Sequence, residues 1–395
     1  MSNLRCFVED TDQLELALSY GVDEPVLCHP LFDARTQQAP CSLQSLSPLI
    51  RILQAHERPI CLNVDIQYHQ HQHELLTQLG TLINEQPIDT LRIQDLGLLH
   101  AIHQQYPHLS LCYCPDTSQQ NYMSIQALEQ TAKRHFLNNE LALSDIQRIL
   151  DHCQGDFELQ IFGPILIQYS YRRFYADLSD HPKQTPHCYD AEDKDHPNRF
   201  YRMIDNHHGH LMMAHFHRNL LPYLSQLMPL HLRSYIVESR GESTTYLDQA
   251  LNLVTDCLAQ FKSDPNHYQF DRARLDPVQQ LAKRPFKAGF FRANLTDQDR
   301  PQVTQLTDDT LTYLGQIIHI DKGSWMSIEL ETHCEVGDQI LIATPEDRRI
   351  QFPLSALKDL DGTPINKSHG HEIIQMPWKK GVSTMSRVYR QDPPR

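Results

Sequence analysis

Apolar and polar residues alternate over Asp156–Ile161, where Phe157, Leu159 and Ile161 are interleaved with Glu158 and Gln160. That is the period of a half-buried strand. Gly163-Pro164 then predicts a turn. A second apolar run, Ile165–Ile167, leads into the polar, basic and aromatic segment Tyr169, Ser170, Tyr171, Arg172, Arg173. Upstream, short apolar runs predict strands at Arg5–Val8, Pro25–Cys28, Pro59–Val64, Thr90–Ile93, Leu109–Cys114 and His135–Leu137. Between them, helical periodicity predicts helices at Asp10–Tyr20, Leu43–Ala55, His73–Asn84, Leu98–Gln105, Ser124–Thr131 and Ser144–Cys153. Strands separated by helical crossovers imply parallel pairing and right-handed connections. Six or seven such units favour an α/β fold of the (β/α) TIM-like barrel type, over about residues 1–300; an open doubly wound sheet shares the pattern.

In a barrel, the strand ends converge on one rim. Asn63, Asp65, Gln94, Asp95, Tyr113, Asp116, Asn138–Glu140 and Tyr169–Arg173 are the residues placed there. The competing role for an Asp, Asn or Ser after a strand is a helix N-cap, and Asp95 fits both. The stretch 177–210 breaks the rhythm as a long polar excursion, with His207-His208-Gly209 reading as a hairpin turn between Phe200–Ile204 and Leu211–Met213. Leu220–Leu227 reads as a helix, Leu232–Val237 as a strand ending at Glu238, Arg240 and Glu242, and Tyr246–Phe261 as an amphipathic helix. Phe286–Phe291, with its glycine, lies near a bend. From Leu311 the character changes. Tyr313–Ile320, Trp325–Leu330, Gln339–Ala343, Arg349–Phe352 and Glu372–Met376 are short alternating strands, predicting a small C-terminal all-β barrel over residues 311–395.

Composition narrows the function classes. The formal charge of -14 argues against a generally basic nucleic-acid coat, though a local basic groove remains compatible with it. No apolar run is long enough for a transmembrane helix. The N-terminus lacks a basic region followed by an apolar core, so a cytoplasmic location without membrane partners is expected. The ten cysteines are scattered, with no disulfide framework; Cys112 and Cys114 read as core thiols. The histidines at 207, 208, 210, 215 and 217 are metal ligands by type, but their spacing matches no standard zinc site and no metal site is assigned.

Several segments, in chain order, resemble the collagenase-like peptidase U32 family. They are Ala17–Asp23, Arg92–Gly97, Asn138–Ile146, Phe157–Arg173, Ile236–Arg240 and Arg284–Phe291, with Tyr313–Arg390 resembling the β domain of the longer members. That arrangement looks most similar to the branch of prephenate-dependent tRNA uridine hydroxylation proteins. The resemblance implies RNA as a partner and prephenate as co-substrate. It also implies an iron–sulfur cluster on four cysteines, and here the chain departs from the family. Arg173 stands where the first cluster cysteine falls, Cys188 matches one middle cysteine at best, and the position near Asn219 is not cysteine. One thiolate does not hold such a cluster, so no cluster is expected unless His187, His215 or His217 substitutes.

Three readings follow. The first is tRNA or RNA modification of the 5-hydroxyuridine type, or a cluster-free accessory of it. Arg172 and Arg173 would hold a carboxylate or phosphate, and Tyr169, Tyr171, Phe174 and Tyr175 would stack on bases; the plain alternative for the arginines is a surface ion pair. The second is a collagenase-like peptidase, a hydrolase for which the chain offers no recognised motif beyond the neighbours His187 and Cys188. The third is a non-catalytic binding or assembly partner of an active homologue. Across these readings, Asp95, Arg172, Arg173, Glu238 and Arg240 are the candidate ligand-binding residues at the rim.

Overall fold

The structure is a computed structural model. It describes residues 3–70, 72–117, 121–174, 187–192, 199–282, 284–292, 310–344, 348–384 and 386–392. The chain divides into two compact units, Met1–Asn294 and Leu295–Arg395.

The first unit opens with β1 (Asn3–Val8), α1 (Thr11–Ser19), β2 (Glu24–Leu27), α2 (Leu46–Ala55), β3 (Cys61–Val64), α3 (His73–Glu85), β4 (Thr90–Ile93) and α4 (Leu96–Gln105). It continues through β5 (Ser110–Tyr113), α5 (Tyr122–Gln126), β6 (Arg134–Leu137), α6 (Leu143–His152) and β7 (Asp156–Ser170). After β8 (His187–Glu192), β9 (Phe200–Asn206) and β10 (Gly209–Asn219) come α7 (Leu224–Leu227), β11 (Ser234–Val237), α8 (Thr244–Ser263), α9 (Asp276–Ala282) and β12 (Phe286–Lys287). Strands β1 to β7 pair in sequence order, and β11 closes the ring by pairing with both β7 and β1, every pairing parallel. This is an eight-stranded closed barrel of the TIM type.

Two apolar zones make the barrel. The larger lies between strands and helices, where Leu4, Cys6 and Val8 of β1 and Leu247, Leu251 and Val254 of α8 share one buried cluster. Helix starts are set locally. Asp10, Asp95 and Ser243 accept backbone N–H bonds from Gln13, Leu98 and Tyr246, the N-cap geometry that satisfies the first turn. The smaller zone is a ring inside the barrel, formed by Phe7, Val26, Cys28, Cys61, Cys114, Phe136 and Ile236. Cys112 and Cys114 are both buried, as core thiols should be.

The structure corrects the expected turn at Gly163-Pro164. β7 runs on through it for 15 residues. Gly163 has φ +105°, and a Cβ there would collide with the backbone carbonyl of Glu238. The glycine thus permits close approach of two strands rather than a reversal. Past this point β7 leaves the barrel and pairs antiparallel with β10, which pairs with β9, which pairs with β8. The barrel strand therefore extends into a four-stranded arm, and His207-His208 forms its β9–β10 turn. Part of the expected polar excursion is thus β8 and β9; residues 175–186 and 193–198 lie outside the described residues.

The second unit holds β13 (Leu311–Ile320), β14 (Trp325–Leu330), β15 (Gln339–Ala343), β16 (Arg349–Pro353), β17 (Leu357–Lys358), β18 (Pro364–Ile365), β19 (Ile373–Pro377) and β20 (Arg387–Gln391). Its sheet runs β16-β15-β20-β13-β14-β19-β17-β18, antiparallel throughout, as a half-barrel around Leu314, Ile317, Met326, Ile328, Ile340, Ile342, Ile374 and Val388. The expected strand list ended at Met376 and missed β20, which sits between β15 and β13.

Candidate functional site

The barrel interior is ionic below and above its apolar ring. At the lower layer, Glu158 of β7 pairs with Arg5 of β1 and Arg92 of β4, while Glu24 of β2 pairs with Arg5 and Arg134. All but Arg134 are buried. Burial alone would raise Glu158, but Arg5 and Arg92 overcome it and hold the carboxyl below its ordinary value. Phe7 sits in the ring with Arg92 on one contact (5.3 Å) and Arg240 on another (3.9 Å), both within cation–π range.

Above the ring, the segment after β11 supplies the centre of the mouth. Glu238 accepts from the backbone N–H of Arg240 at 3.0 Å and from its guanidinium at 2.7 Å. Arg240 also reaches Asp65 at 2.5 Å and Asp33 at 3.2 Å. Arg35 bridges Glu238 and Asp116, each at 2.7 Å. Against the upward push of burial, Arg240 and Arg35 hold Asp65 down to about 2 and Glu238 below the usual carboxylate range. Asp33 goes the other way, because burial outweighs Arg240 and Asp65 adds repulsion. Two arginines and four carboxylates thus lock one another in place.

Beside this network a narrow cleft opens against the arm, lined on its polar side by Arg35, Arg202, His217, Arg240, Glu242 and Arg284. Ile204, Met213, Ala214 and Pro164 supply apolar walls. Arg202 and Arg284 share one carboxylate, Asp190, at 3.2 and 2.5 Å, and Arg284 also donates to the Phe200 carbonyl at 3.2 Å. Their Nη1 atoms have no partner among the described residues. Glu242 faces His217 Nε2 at 3.6 Å, and the other ring nitrogen of His217 is 2.8 Å from the Tyr246 hydroxyl. Burial pushes the Glu242 carboxyl up to about 7, with Arg202 and Arg284 opposing. Burial, assisted by Arg284 and Arg202, pushes His217 down to about 3. The cleft therefore offers free guanidinium donors next to a carboxyl that exchanges its proton near neutrality, a combination suited to an anionic ligand and to proton transfer.

Of the residues singled out from sequence, Asp65, Asp116, Glu238 and Arg240 come together in the network at the mouth. Asp95 is the N-cap of α4, accepting from Leu98 N at 2.7 Å and from Tyr68 N at 3.3 Å, and is not part of the network. Arg172 and Arg173 are exposed beyond the end of β7 and take no part in it either. Tyr171 lies tilted against His69, ring centroids 3.6 Å apart, and Phe174 meets His210 edge-on at 5.1 Å; Tyr175 lies outside the described residues. Sequence reasoning missed Asp33, Arg35, Arg202, Arg284 and Tyr246 as site residues and offered His217 only as a metal or cluster ligand by type. Glu242 was within reach, two residues past Arg240 in the turn marked by Gly241 at φ +78°.

The positions matched to the family cluster do not fit one. Arg173 is an exposed guanidinium, Cys188 an exposed thiol, and Asn219 caps a turn by accepting from Leu221 N at 3.0 Å. The histidines are otherwise engaged. His207 and His208 both contact the Pro30 carbonyl at 2.7 Å, and His210 contacts Asp205. Among the described residues no group of three His, Cys, Asp or Glu side chains is arranged for a metal ion. His187 and Cys188 are consecutive on β8, so they point to opposite faces and form no nucleophile–base pair. A different pair, Cys41 and His29, is in contact at 3.4 Å. There Leu31 N–H donates to His29 Nδ1 at 3.2 Å, which leaves the ring proton on Nε2. His29 then donates toward Cys41 and the Ser42 carbonyl and cannot act as the base for the thiol. One more group stands apart. Arg218 of β10 is fully buried with no carboxylate near it among the described residues, and burial draws it down to about 9.

Comparison with known proteins places the chain. The profile of peptidase family U32 matches residues 9–301, and that of the peptidase family U32 C-terminal domain matches residues 309–386. No curated protein matches. Among solved structures, the C-terminal domain of a Geobacillus thermoleovorans chain described as a U32 peptidase aligns at 16% identity, covering 20% of this chain and 92% of that one, with a TM-score of 0.20. The U32 peptidase Mk0906 aligns at 10% identity over 42% of this chain and 70% of that one, with a TM-score of 0.37. The YdjI aldolase from Escherichia coli K12 aligns at 10% identity over 71% and 87%, with a TM-score of 0.34. No helix among the described residues is long and apolar enough to cross a membrane.

Proposed function

The chain belongs to peptidase family U32, and we propose that it serves tRNA modification of the 5-hydroxyuridine type as a cluster-free member. In this reading it recognises a small carboxylate such as prephenate at the mouth cleft, which at about 10 Å³ has room for one water and must widen to admit the ligand, and it acts with RNA or with a homologous cluster-bearing protein. The observation that carries the reading is the pair Arg202 and Arg284, both lining the cleft, braced by one Asp190 and each with an Nη1 that has no partner among the described residues. Two guanidiniums fixed by a shared acid are preorganised for a carboxylate. Glu242 and His217 then lie where a proton is to be held or passed. In this reading the redox step belongs to the partner, with Arg173 and Asn219 standing where the family has cluster cysteines. The peptidase reading lacks a nucleophile and base in working geometry among the described residues.

The test is nucleoside analysis of tRNA from host cells lacking the protein. Loss of 5-hydroxyuridine-derived nucleosides is expected, restored by the wild type and not by Arg284→Gln. Unchanged nucleosides in the deletion strain would sink the reading.

A further inference from the structure

Five of the six buried arginines among the described residues face carboxylates: Arg5, Arg35, Arg92, Arg240 and Arg284. Arg218 is the sixth and faces none among the described residues. Its Nη1 donates to the Asn139 side-chain oxygen, while Nε and Nη2 have no partner among the described residues. Those two nitrogens share one edge of the guanidinium, the fork that matches two oxygens of a carboxylate or a tetrahedral oxyanion.

The surroundings are neutral and built. Asn139 donates to Gln160 Oε1 at 3.0 Å, and Gln160 donates to the carbonyls of Pro164 and Gly163 at 2.9 and 3.2 Å. Asn138, Asn139 and Gln160 are all buried. This amide chain fixes the orientation of the Asn139 oxygen, and through it the plane of the guanidinium. Water on the open fork would satisfy hydrogen bonds but leave the charge uncompensated, and an unpaired buried charge is strongly unfavourable.

We propose that the free edge of Arg218 is a binding site for one compact oxyanion, either the carboxylate group of a small molecule or a free inorganic oxyanion. The site is distinct from the Arg202–Arg284 pair and does not depend on the tRNA reading.

The experiment is thermal unfolding and calorimetric titration of the full-length protein with formate and, separately, phosphate. Both are run at constant ionic strength in a bulky sulfonate buffer. Saturable stabilisation is expected, with a rise in Tm of about 5 °C near saturation. It should disappear in Arg218→Met, which is expected to be no less stable than wild type without the anion. A response to formate alone assigns a carboxylate ligand; a response to phosphate assigns an inorganic oxyanion. No response in wild type, or an equal response in Arg218→Met, overturns the proposal. Should that variant fail to fold, selenate-soaked wild-type crystals decide. Anomalous density on Nε and Nη2 of Arg218 supports the site, and its absence there overturns it.

Discussion

Arg240 neutralises more of its surroundings than any other side chain at the mouth, touching Glu238, Asp65 and Asp33 at once. Replacing it with methionine keeps much of the volume and leaves three buried carboxylates facing one another. Arg240→Met is expected to lower stability by about 3–5 kcal/mol, the range for breaking a buried pair from one side. Urea unfolding checks this, and a loss under about 1 kcal/mol would show the carboxylates to be compensated elsewhere. Glu242 makes a pH prediction of opposite character. Its carboxyl ionises at an ordinary 4.5 in the unfolded chain and at about 7 in the folded one. Between those values the folded state holds the extra proton, so the contribution of Glu242 to stability falls as pH rises from 4.5 through 7. The slope is at most about 1.4 kcal/mol per pH unit. Urea midpoints measured across that window should fall less steeply with rising pH in Glu242→Gln than in wild type. Equal slopes would mean that the proton sits elsewhere, Glu9 being the other carboxyl that burial raises to about 7.

At the scale of elements, β7 joins the barrel to its arm, and Gly163 is where it does so. An alanine there meets both a positive φ and the Glu238 carbonyl. Gly163→Ala is expected to cost about 2–4 kcal/mol, read by denaturant unfolding, and to disturb the Glu238–Arg240 pairing. Wild-type stability in that variant would mean the strands part easily. The same residue shows what sequence reading could and could not reach. Gly-Pro signals a turn by local propensity, but a strand crossing closely over another needs the same glycine. Helices and barrel strands were legible because each carries an apolar face at its own period, as in β1 and α8. β20 was missed because Arg387, Val388, Tyr389 and Arg390 hold too few apolar residues, although Val388 and Tyr389 are buried. The mouth was half legible. Glu238 and Arg240 follow a recognisable strand, whereas Arg35 and Asp33 lie on a loop with no apolar pattern. Their partners are also distant in the chain; Arg35 and Glu238 are 203 residues apart.

On the scale of the molecule, the two compact units each own an apolar core, one between strands and helices and one inside the β half-barrel. A fragment comprising residues 295–395 is expected to unfold cooperatively in urea, followed by circular dichroism. A featureless, gradual transition would show that its core is insufficient alone. The overall charge of -14 also means that any RNA contact must draw on local basic groups. Such binding is expected to weaken steeply with added salt.

The ionic layers inside the barrel carry one more consequence, for how this protein can change over time. In an aliphatic barrel, a lost methylene is tolerated one position at a time. Here Arg5, Glu24, Arg92 and Glu158 compensate one another across four strands. Any single replacement strands a charge, while a matched double replacement by apolar residues can be neutral. Drift at these positions is therefore epistatic: the strands must exchange their charges in concert, and intermediates on the way are the least fit members of the path.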